Sequence, residues 1–408
     1  MQWVVGFWTA LFAGIFTFIG CPGTNPTSDW TAERLDNSPS TQPAAVEVAD
    51  MDGDGAKDVV SVWQGSSSRV GVAAIHFQVP GVGWTTSVID SGARYAAASA
   101  LNIADVNLDS HLDVVVANGD RITYLRSPAN PRVVTEWQKF DIAASINSNY
   151  KEWFDVAAVQ IDGKNGLDIF ATLHDVGRLV WFESPANPDS ADGWVIHSID
   201  STTRSGADSL IPIDMNGDGK IDVVNSASND TNGTVSWYEQ PADPTTTPWS
   251  KHVMTTFSGA TRIAMGDLTG NGQLDLVAIS PKQRKIAWFP RPADVNASWN
   301  GWVLADYTTD SSDTRKPYDV AIADMDGDGR LEVVVLSNNP ASIYWYSPGS
   351  DNTALWNEHR ITAISPNGFG LFAVNDVMGR GRNDVIVPIV QDDDATQDRI
   401  SRLINPLP

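Results

Sequence analysis

The sequence contains a single cysteine, Cys21, so no disulfide can form within the chain. Basic residues are also scarce, because 27 Lys and Arg stand against 50 Asp and Glu and leave a formal net charge of -23 at pH 7. Binding to a phosphate backbone requires clustered Lys and Arg that release its counterions. The charge balance therefore argues against nucleic acid or an anionic membrane surface as a partner.

Long apolar runs are limited to the N terminus, from Trp3 to Ile19, and no other stretch is long and apolar enough to span a bilayer. This run ends in Phe18-Ile19-Gly20-Cys21, which resembles a bacterial lipobox whose cysteine is lipidated after cleavage. Phe18 stands where Leu is usual, and Met1-Gln2-Trp3 lacks Lys and Arg, so a plain cleaved signal or an N-terminal anchor helix stays open.

This N terminus predicts three segments: a signal peptide at 1–21, a tether at 22–29 and one domain at 30–408. Lipidation at Cys21 would hold the domain at the membrane only through its N-terminal end. We therefore expect an extracytoplasmic, monomeric protein, either a cell-surface lipoprotein or a secreted one.

Carboxylates recur in one short loop, first seen as Asp50-Met-Asp52-Gly-Asp54-Gly-Ala-Lys-Asp58. Oxygen ligands at positions one, three, five and nine, with glycines where the backbone must turn, are suited to surround one Ca²⁺. Without a cation the four like charges would repel one another. A solvated acidic turn is the alternative interpretation.

Six further copies of this loop follow, at steps of 52 to 57 residues, which favours a repeat architecture over several unrelated domains. Four of them keep the ligand types and begin at Asp105, Asp214, Asp267 and Asp324. The other two carry a basic residue at position five, Lys164 in the copy from Gln160 to Asp168 and Arg380 in the copy from Asp376 to Asp384, and we predict that these two bind no metal.

Each repeat contains four strand signals: one before the loop, one after it, an aromatic one such as Val235-Ser-Trp-Tyr-Glu239, and one of the form Trp-x-x-His. Repeats of four strands and about 50 residues indicate an all-β seven-bladed β-propeller. The chain ends after the third strand of the last repeat, and Trp30–Asp36 matches a fourth strand. We therefore predict that the N-terminal strand closes the last blade.

These loops and strands resemble the FG-GAP or VCBS repeat family, the calcium-loop propellers that also occur in integrin α-subunits. The resemblance covers the chain after residue 29 and implies Ca²⁺ as the bound ion. The implied ligands are Asp50, Asp52, Asp54 and Asp58 in the first copy; Asp214, Asn216, Asp218 and Asp222 in the fourth; and Asp324, Asp326, Asp328 and Glu332 in the sixth.

Two more copies are implied as weaker calcium loops. The second copy has Leu108 and Ser110 where glycines belong, and the fifth carries fewer charges. Their ligands would be Asp105, Asn107, Asp109 and Asp113 in the second, and Asp267, Thr269, Asn271 and Asp275 in the fifth.

Ligands of such propellers more often bind the face opposite the metal loops. The loops expected on that face hold basic and aromatic residues, namely Tyr95, Trp153, Arg204, Arg262, Arg315, Lys316 and Tyr318. Aromatic faces stack on sugars and Arg forks bind carboxylates, so a carbohydrate or a cell-surface protein is the expected partner. Alternatively, these residues only solubilise the loops or pair with nearby acids such as Asp313 and Asp319.

Histidine is rare, and three of the six, His197, His252 and His359, share one repeat position and are expected in the scaffold. His174 is out of pattern, and with Asp175 and Lys151 it forms a weak candidate for acid–base catalysis. The strand Trp237-Tyr-Glu-Gln-Pro241 is similar to one in carbohydrate lyases and the aldos-2-ulose dehydratase group. An enzyme acting on a sugar acid or ketosugar is therefore the alternative function.

Overall fold

A computed structural model describes residues 30–36, 39–144, 153–201, 206–228, 233–349, 351–361, 368–391 and 397–406. The regular elements in these ranges are β-strands, together with two short 3-10 helices at Ala93–Ala97 and Val134–Glu136. No helix in the described part of the chain has the length and apolar character needed to cross a bilayer. The predicted signal, tether and Cys21 lie outside the described residues.

The strands form seven antiparallel sheets, the blades, and within a blade the strands follow one another from the axis outward. The N-terminal strand, β1 (Thr31–Arg34), is the outer strand of blade 7. The remaining strands form the blades in chain order. Blade 1 contains β2 (Pro43–Ala49), β3 (Asp58–Gly65), β4 (Val70–Val79) and β5 (Gly83–Gly92); blade 2 contains β6 (Ala98–Ala104), β7 (Asp113–Asn118), β8 (Arg121–Arg126) and β9 (Gln138–Ala144); blade 3 contains β10 (Trp153–Val159), β11 (Asp168–Leu173), β12 (Arg178–Glu183) and β13 (Val195–Asp200); and blade 4 contains β14 (Ala207–Ile213), β15 (Asp222–Ala227), β16 (Thr234–Glu239) and β17 (Ser250–Thr256). Blade 5 contains β18 (Arg262–Gly266), β19 (Asp275–Ser280), β20 (Lys285–Phe289) and β21 (Trp302–Asp306); blade 6 contains β22 (Lys316–Ala323), β23 (Glu332–Asn338), β24 (Ser342–Ser347) and β25 (Asn357–Arg360); and blade 7 contains β26 (Gly368–Phe369), β27 (Ala373–Asn375), β28 (Asp384–Val390) and β29 (Arg399–Ile404) together with β1.

The inner strands of neighbouring blades pack side by side around a central axis, and β27 of blade 7 returns to β2 of blade 1, which closes the ring. The seam lies in blade 7, where β1 pairs with β29 from Thr31 opposite Ile404 to Arg34 opposite Ser401. Leu35 then donates its N–H to the carbonyl of Ile400 and is buried. The predicted seven-bladed propeller with an N-terminal closing strand is confirmed.

The core lies between the blades. Each of the seven apolar clusters joins two adjacent blades, such as the cluster that packs Trp153 and Phe182 of blade 3 against Tyr124 and Ile142 of blade 2. Every residue of the second strands β7, β11, β15 and β19 is buried, because both faces of these strands are covered. A blade removed from the ring would expose both apolar faces, so the ring is the stable unit.

The shared histidine position belongs to the scaffold. His197, His252 and His359 stack on Trp181, Trp237 and Trp345 of the neighbouring strand, with ring centroids 4.5, 4.2 and 3.9 Å apart. These rings hold the outer strand against the third strand of the same blade.

Candidate functional site

The seven acidic loops, which we number loops 1 to 7 after their blades, connect the first strand of each blade to the second. The aspartate at position one shapes the loop. In loop 1, Gly53 and Gly55 donate their N–H groups to the two carboxylate oxygens of Asp50, at 2.8 and 2.9 Å. Both glycines have positive φ, 74° and 88°, which explains why the sequence needs glycine there. Leu108 and Ser110 adopt the same conformation in loop 2 (φ 60° and 73°) at a steric cost of about 1–2 kcal/mol each.

The carboxylate at position nine has a second role that the sequence analysis did not assign. Asp168 accepts the N–H of Ile161, the second loop residue, at 2.9 Å and the N–H of Ser184, just after the third strand, at 2.8 Å. Asp58, Asp113 and Asp222 make the same two contacts in blades 1, 2 and 4. This buried carboxylate therefore fastens the loop to the third strand, and we call it the latch.

Burial sets the acidity of the latch. It raises the pKa of Asp58 and Asp113 to about 7 and that of Asp168 and Asp222 to about 6, against the backbone hydrogen bonds that lower it. Glu332, at position nine of loop 6, likewise has its pKa raised to about 7 by burial. A cation beside the latch would favour its charged form.

Two loops gather three carboxylates around one point. In loop 1 these are Asp50, Asp52 and Asp58, and in loop 6 they are Asp324, Asp326 and Glu332, each set with ligand atoms within 4.8 Å of one another. Oxygens that coordinate one Ca²⁺ at about 2.3–2.6 Å lie within about 5 Å of each other. The donor type and the spacing of both loops therefore fit calcium.

Basic side chains reach the carboxylates of four other loops. As the sequence suggested, Lys164 pairs with Asp162 of loop 3 at 2.7 Å, and Arg380 pairs with Asp384 of loop 7 at 2.8 Å. Arg126 pairs with Asp109 of loop 2 at 3.2 Å, and Lys220 pairs with Asp218 of loop 4 at 2.6 Å. A cation already neutralises charge at these four loops.

Loop 5 has the glycine turn but fewer charges. Asp267 accepts the N–H groups of Asn271 and Gly272, at 3.0 and 2.7 Å, and the latch Asp275 accepts that of Arg291. Among the described residues, loop 6 alone combines three gathered carboxylates with no basic side chain in an ion pair to them.

On the face opposite the acidic loops, a cavity of about 290 Å³ lies at the central axis, and we call it the axial pocket. Irregularities in strand register occur at Ser99, Phe154 and Tyr318, where the inner strands β6, β10 and β22 bulge. A bulge re-aims side chains, and all three residues line the pocket. Arg262 lies in its wall, 8% exposed, with its guanidinium 4.8 Å from the centre of the Phe154 ring.

Below the pocket, polar side chains of the inner strands link consecutive blades. Glu47 accepts the N–H of Ile103 at 2.8 Å, Asn102 that of Ala158 at 2.8 Å, and Asp155 that of Leu210 at 3.1 Å. Asp319 accepts the N–H of Phe372 at 3.0 Å. These contacts join blade 1 to 2, 2 to 3, 3 to 4 and 6 to 7.

Arg262 partly balances this acidic axis, because its Nη1 atom lies 3.4 Å from Asp155 and its charge opposes the effect of burial on the pKa of both Asp155 and Asp319. Burial nevertheless raises the pKa of Asp155, and it raises the pKa of Asp319 to about 6 and that of Glu47 to about 7. The axis therefore concentrates carboxylates that are costly to ionise, with one arginine at its mouth.

A family model described as FG-GAP-like repeat matches residues 214–278 and 324–387. Each match begins at the first aspartate of a loop, in blades 4 and 6, and extends into the second strand of the next blade. The chain is a β-propeller with FG-GAP-like repeats. No curated protein matches its sequence.

Solved structures share the fold of this FG-GAP propeller at low identity. One is a lectin of Agrocybe aegerita described as specifically recognising non-reducing terminal N-acetylglucosamine, with a TM-score of 0.51, 13% identity, and coverage of 79% of this chain and 81% of the lectin. Another is BBS1N in complex with ARL6DN, with a TM-score of 0.55, 12% identity, and coverage of 93% and 97%. At such identities the likeness shows the fold alone.

Two aromatic residues expected on the ligand face of the FG-GAP propeller are in its core. Tyr95 is fully buried and donates its hydroxyl to Asp90, and Trp153 is 1% exposed between blades 2 and 3. Neither ring has a face open to a sugar, so the expected aromatic rim is wrong at these two positions. Both start or precede an inner strand, where packing between blades covers them.

The basic candidates separate into different environments. Arg262 and Tyr318, which is 39% exposed, meet in the axial pocket. Arg315 is held between the rings of Tyr307 and Tyr344 and pairs with Asp313 at 2.7 Å, as the pairing alternative foresaw. Lys316 is exposed at the start of β22, and Arg204 and Lys151 lie outside the described residues.

His174 pairs with a different aspartate from the one expected. Its Nδ1 atom lies 2.5 Å from Oδ1 of the buried Asp208 of blade 4, whereas the adjacent Asp175 is exposed in a turn. The His174 ring also packs against Phe154, with centroids 5.3 Å apart. The pair thus joins blades 3 and 4 beside the axial pocket, which the spacing of His174 and Asp175 did not reveal.

Replacing the latch of loop 3, Asp168→Asn, should destabilise the protein equally with and without calcium. The amide can accept only one of the two N–H groups that the carboxylate accepts, and a lost buried hydrogen bond costs roughly 1–3 kcal/mol. Urea unfolding in calcium and in EGTA measures this. The exposed Asp192→Asn in the same blade is the control, and a loss seen only in calcium would contradict the latch.

Glu47→Gln should change how stability depends on pH. The raised pKa of about 7 means that folded Glu47 keeps its proton to higher pH than the unfolded chain, so its contribution is full below pH 4.5 and is lost as pH rises through 7. The variant should therefore gain about 2–3 kcal/mol relative to wild type between pH 5 and pH 8. Urea unfolding at both pH values tests this, with the exposed Glu136→Gln as control; parallel behaviour of both variants would refute it.

Proposed function

We propose that this FG-GAP propeller is a calcium-stabilised extracytoplasmic protein that binds a carbohydrate or a protein on the face opposite its acidic loops. The observation that carries the calcium part is the grouping of Asp324, Asp326 and Glu332 in loop 6, whose oxygens lie within 4.8 Å of one another. Hard carboxylate oxygens at that spacing suit Ca²⁺. Loop 6 would hold calcium most strongly, and loop 1 has the same donors.

The proposed role of calcium is structural. The loop that would bind it is fastened through Glu332 and Met325 to the start of β23, so a bound ion would favour the folded hairpin. If free calcium stands tenfold above the dissociation constant, one such site adds roughly 1.4 kcal/mol to the free energy of unfolding.

The axial pocket supports the ligand part of the proposal. Arg262 supplies hydrogen-bond donors, the partly exposed Tyr318 supplies a ring, and Gln42 and Gln64 add amide groups. Asp155 and Asp319 lie beside the arginine, so a strongly anionic ligand would meet repulsion. This chemistry favours a neutral sugar or a singly charged one over a polyanion.

The extracytoplasmic part rests on the N-terminal sequence, the apolar run before Cys21. It agrees with a calcium-dependent fold, because millimolar free calcium is available to the weaker calcium sites of extracellular modules.

Removing calcium should lower the melting temperature by a few degrees, and metal analysis of the purified protein should find bound calcium. Asp326→Ala should reduce the bound calcium by one ion per chain, because it removes a ligand of loop 6. The matched control is Asp109→Ala in loop 2, whose carboxylate already pairs with Arg126. A melting temperature that ignores EGTA, together with metal-free protein, would refute the calcium proposal.

Binding of sugars should depend on the axial pocket. A glycan array that includes terminal N-acetylglucosamine and uronic acids should give signals that fall at least tenfold in Tyr318→Ala and in Arg262→Lys, which keeps a counterion for Asp155. Lys316→Ala, two residues from Tyr318 on the same strand but outside the pocket, should bind as wild type. Loss in Lys316→Ala alone would place the site on the outer rim instead.

A further inference from the structure

An arginine from blade 2 lies on the carboxylates of loop 1. Arg132, in the segment between β8 and β9, places Nη2 2.5 Å and Nε 2.6 Å from Oδ2 of Asp52, and Nη2 is 3.5 Å from Asp54. Asp52 is one of the three gathered carboxylates of this loop, and its side chain is 8% exposed. The guanidinium therefore contacts the same carboxylate oxygen of Asp52 that a calcium ion would coordinate.

The position of Arg132 is built into the fold. Its guanidinium lies 4.4 Å from the centre of the buried Phe77 ring, on the blade 1 side of the contact. On the blade 2 side, the backbone N–H of Arg132 donates to the side-chain oxygen of Asn130. The backbone carbonyl of the preceding Pro131 accepts the indole N–H of Trp137 at 3.2 Å. The backbone of Arg132 is thus fixed in blade 2 while its side chain, 36% exposed, contacts blade 1.

From this geometry we propose that Arg132 competes with calcium for loop 1, so that loop 1 binds the ion more weakly than loop 6 and releases the arginine when it does. This inference rests on the calcium binding proposed above. A calcium ion and a guanidinium cannot share the same carboxylate oxygen at about 2.5 Å, since two cations that close repel strongly. Calcium at loop 1 must displace Arg132, or Arg132 must keep the ion out.

Competition also couples the metal to the contact between two blades. With Arg132 in place, the charge of loop 1 is neutralised from blade 2, which stabilises the calcium-free protein. With calcium in place, the ion neutralises the loop and the arginine is released from Asp52. Removal of Arg132 should therefore lower the stability of the calcium-free protein and leave that of the calcium-bound protein unchanged.

The test uses the full domain carrying Asp326→Ala, which silences loop 6, with and without Arg132→Gln. Calorimetric titration with CaCl₂ should show an additional or tighter site in the Arg132→Gln protein, with affinity increased about threefold to tenfold for the loss of one nearby positive charge. Adding Asp52→Asn should abolish this gain. Melting in EGTA should occur at a lower temperature in Arg132→Gln than in its parent, and saturating calcium should remove the difference.

Lys57→Gln is the matched control. Lys57 belongs to loop 1, is exposed and makes no ion pair among the residues described, so its replacement removes the same charge without freeing Asp52. Equal affinity gains in both variants, an unchanged affinity in Arg132→Gln, or a melting temperature lowered equally in EGTA and in calcium would overturn the inference. Titration of loop 6 in the otherwise unchanged protein tests calcium binding itself, so the two proposals fail separately.

Discussion

A buried carboxylate at the start of each second strand organises every blade. In blade 3, Asp168 binds the N–H of the loop on one side and the N–H after the third strand on the other, with no exposure to solvent. A protonated or amide side chain could satisfy only part of this arrangement. The position is therefore acidic in all seven repeats. It is Glu332 in loop 6, and it is still Asp384 in loop 7, although loop 7 has Arg380 in place of a metal ligand.

The burial of that carboxylate accounts for the two arginines beside it in loop 7. A charged group held in the interior is unfavourable unless an opposite charge lies near it. Arg380 and Arg402 both approach Asp384 of loop 7, at 2.8 and 3.0 Å, while in loop 6 the acids are gathered with no basic partner among the described residues. Basic side chains thus neutralise the acids of several copies, and under the proposed function a divalent ion would do so in loop 6.

Much of this fold could be predicted from the sequence because the repeat carries it. The period of the loops, the four strand signals and the strand missing from the last copy lead to the seven blades and to the seam at Thr31–Arg34. The turn at Gly53 and Gly55 also follows from residue type alone. Each of these signals is read from residues close together in the chain, although the seam itself pairs strands from opposite ends of the chain.

The parts of the site that could not be predicted depend on contacts between blades. Bulges turn Phe154 and Tyr318 toward the axis, and no residue pattern marks a bulge in these strands. Trp153 is of the residue type that stacks on sugars at a protein surface, but it packs between blades 2 and 3. Arg126 did leave a signal, because it stands where Glu183 and Glu239 end the third strands of other blades, next to the acidic loop.

Closure by β1 and β29 brings together groups that are far apart in the chain, such as Glu33 and Arg402, which are 369 residues apart in sequence and 2.7 Å apart in space. Bringing such distant segments together costs more entropy than forming a local hairpin. The first six blades each come from one continuous stretch, whereas the seventh combines strands from both ends of the chain. Until β29 has been synthesised, β1 has no partner strand and its edge stays open to pairing with other chains.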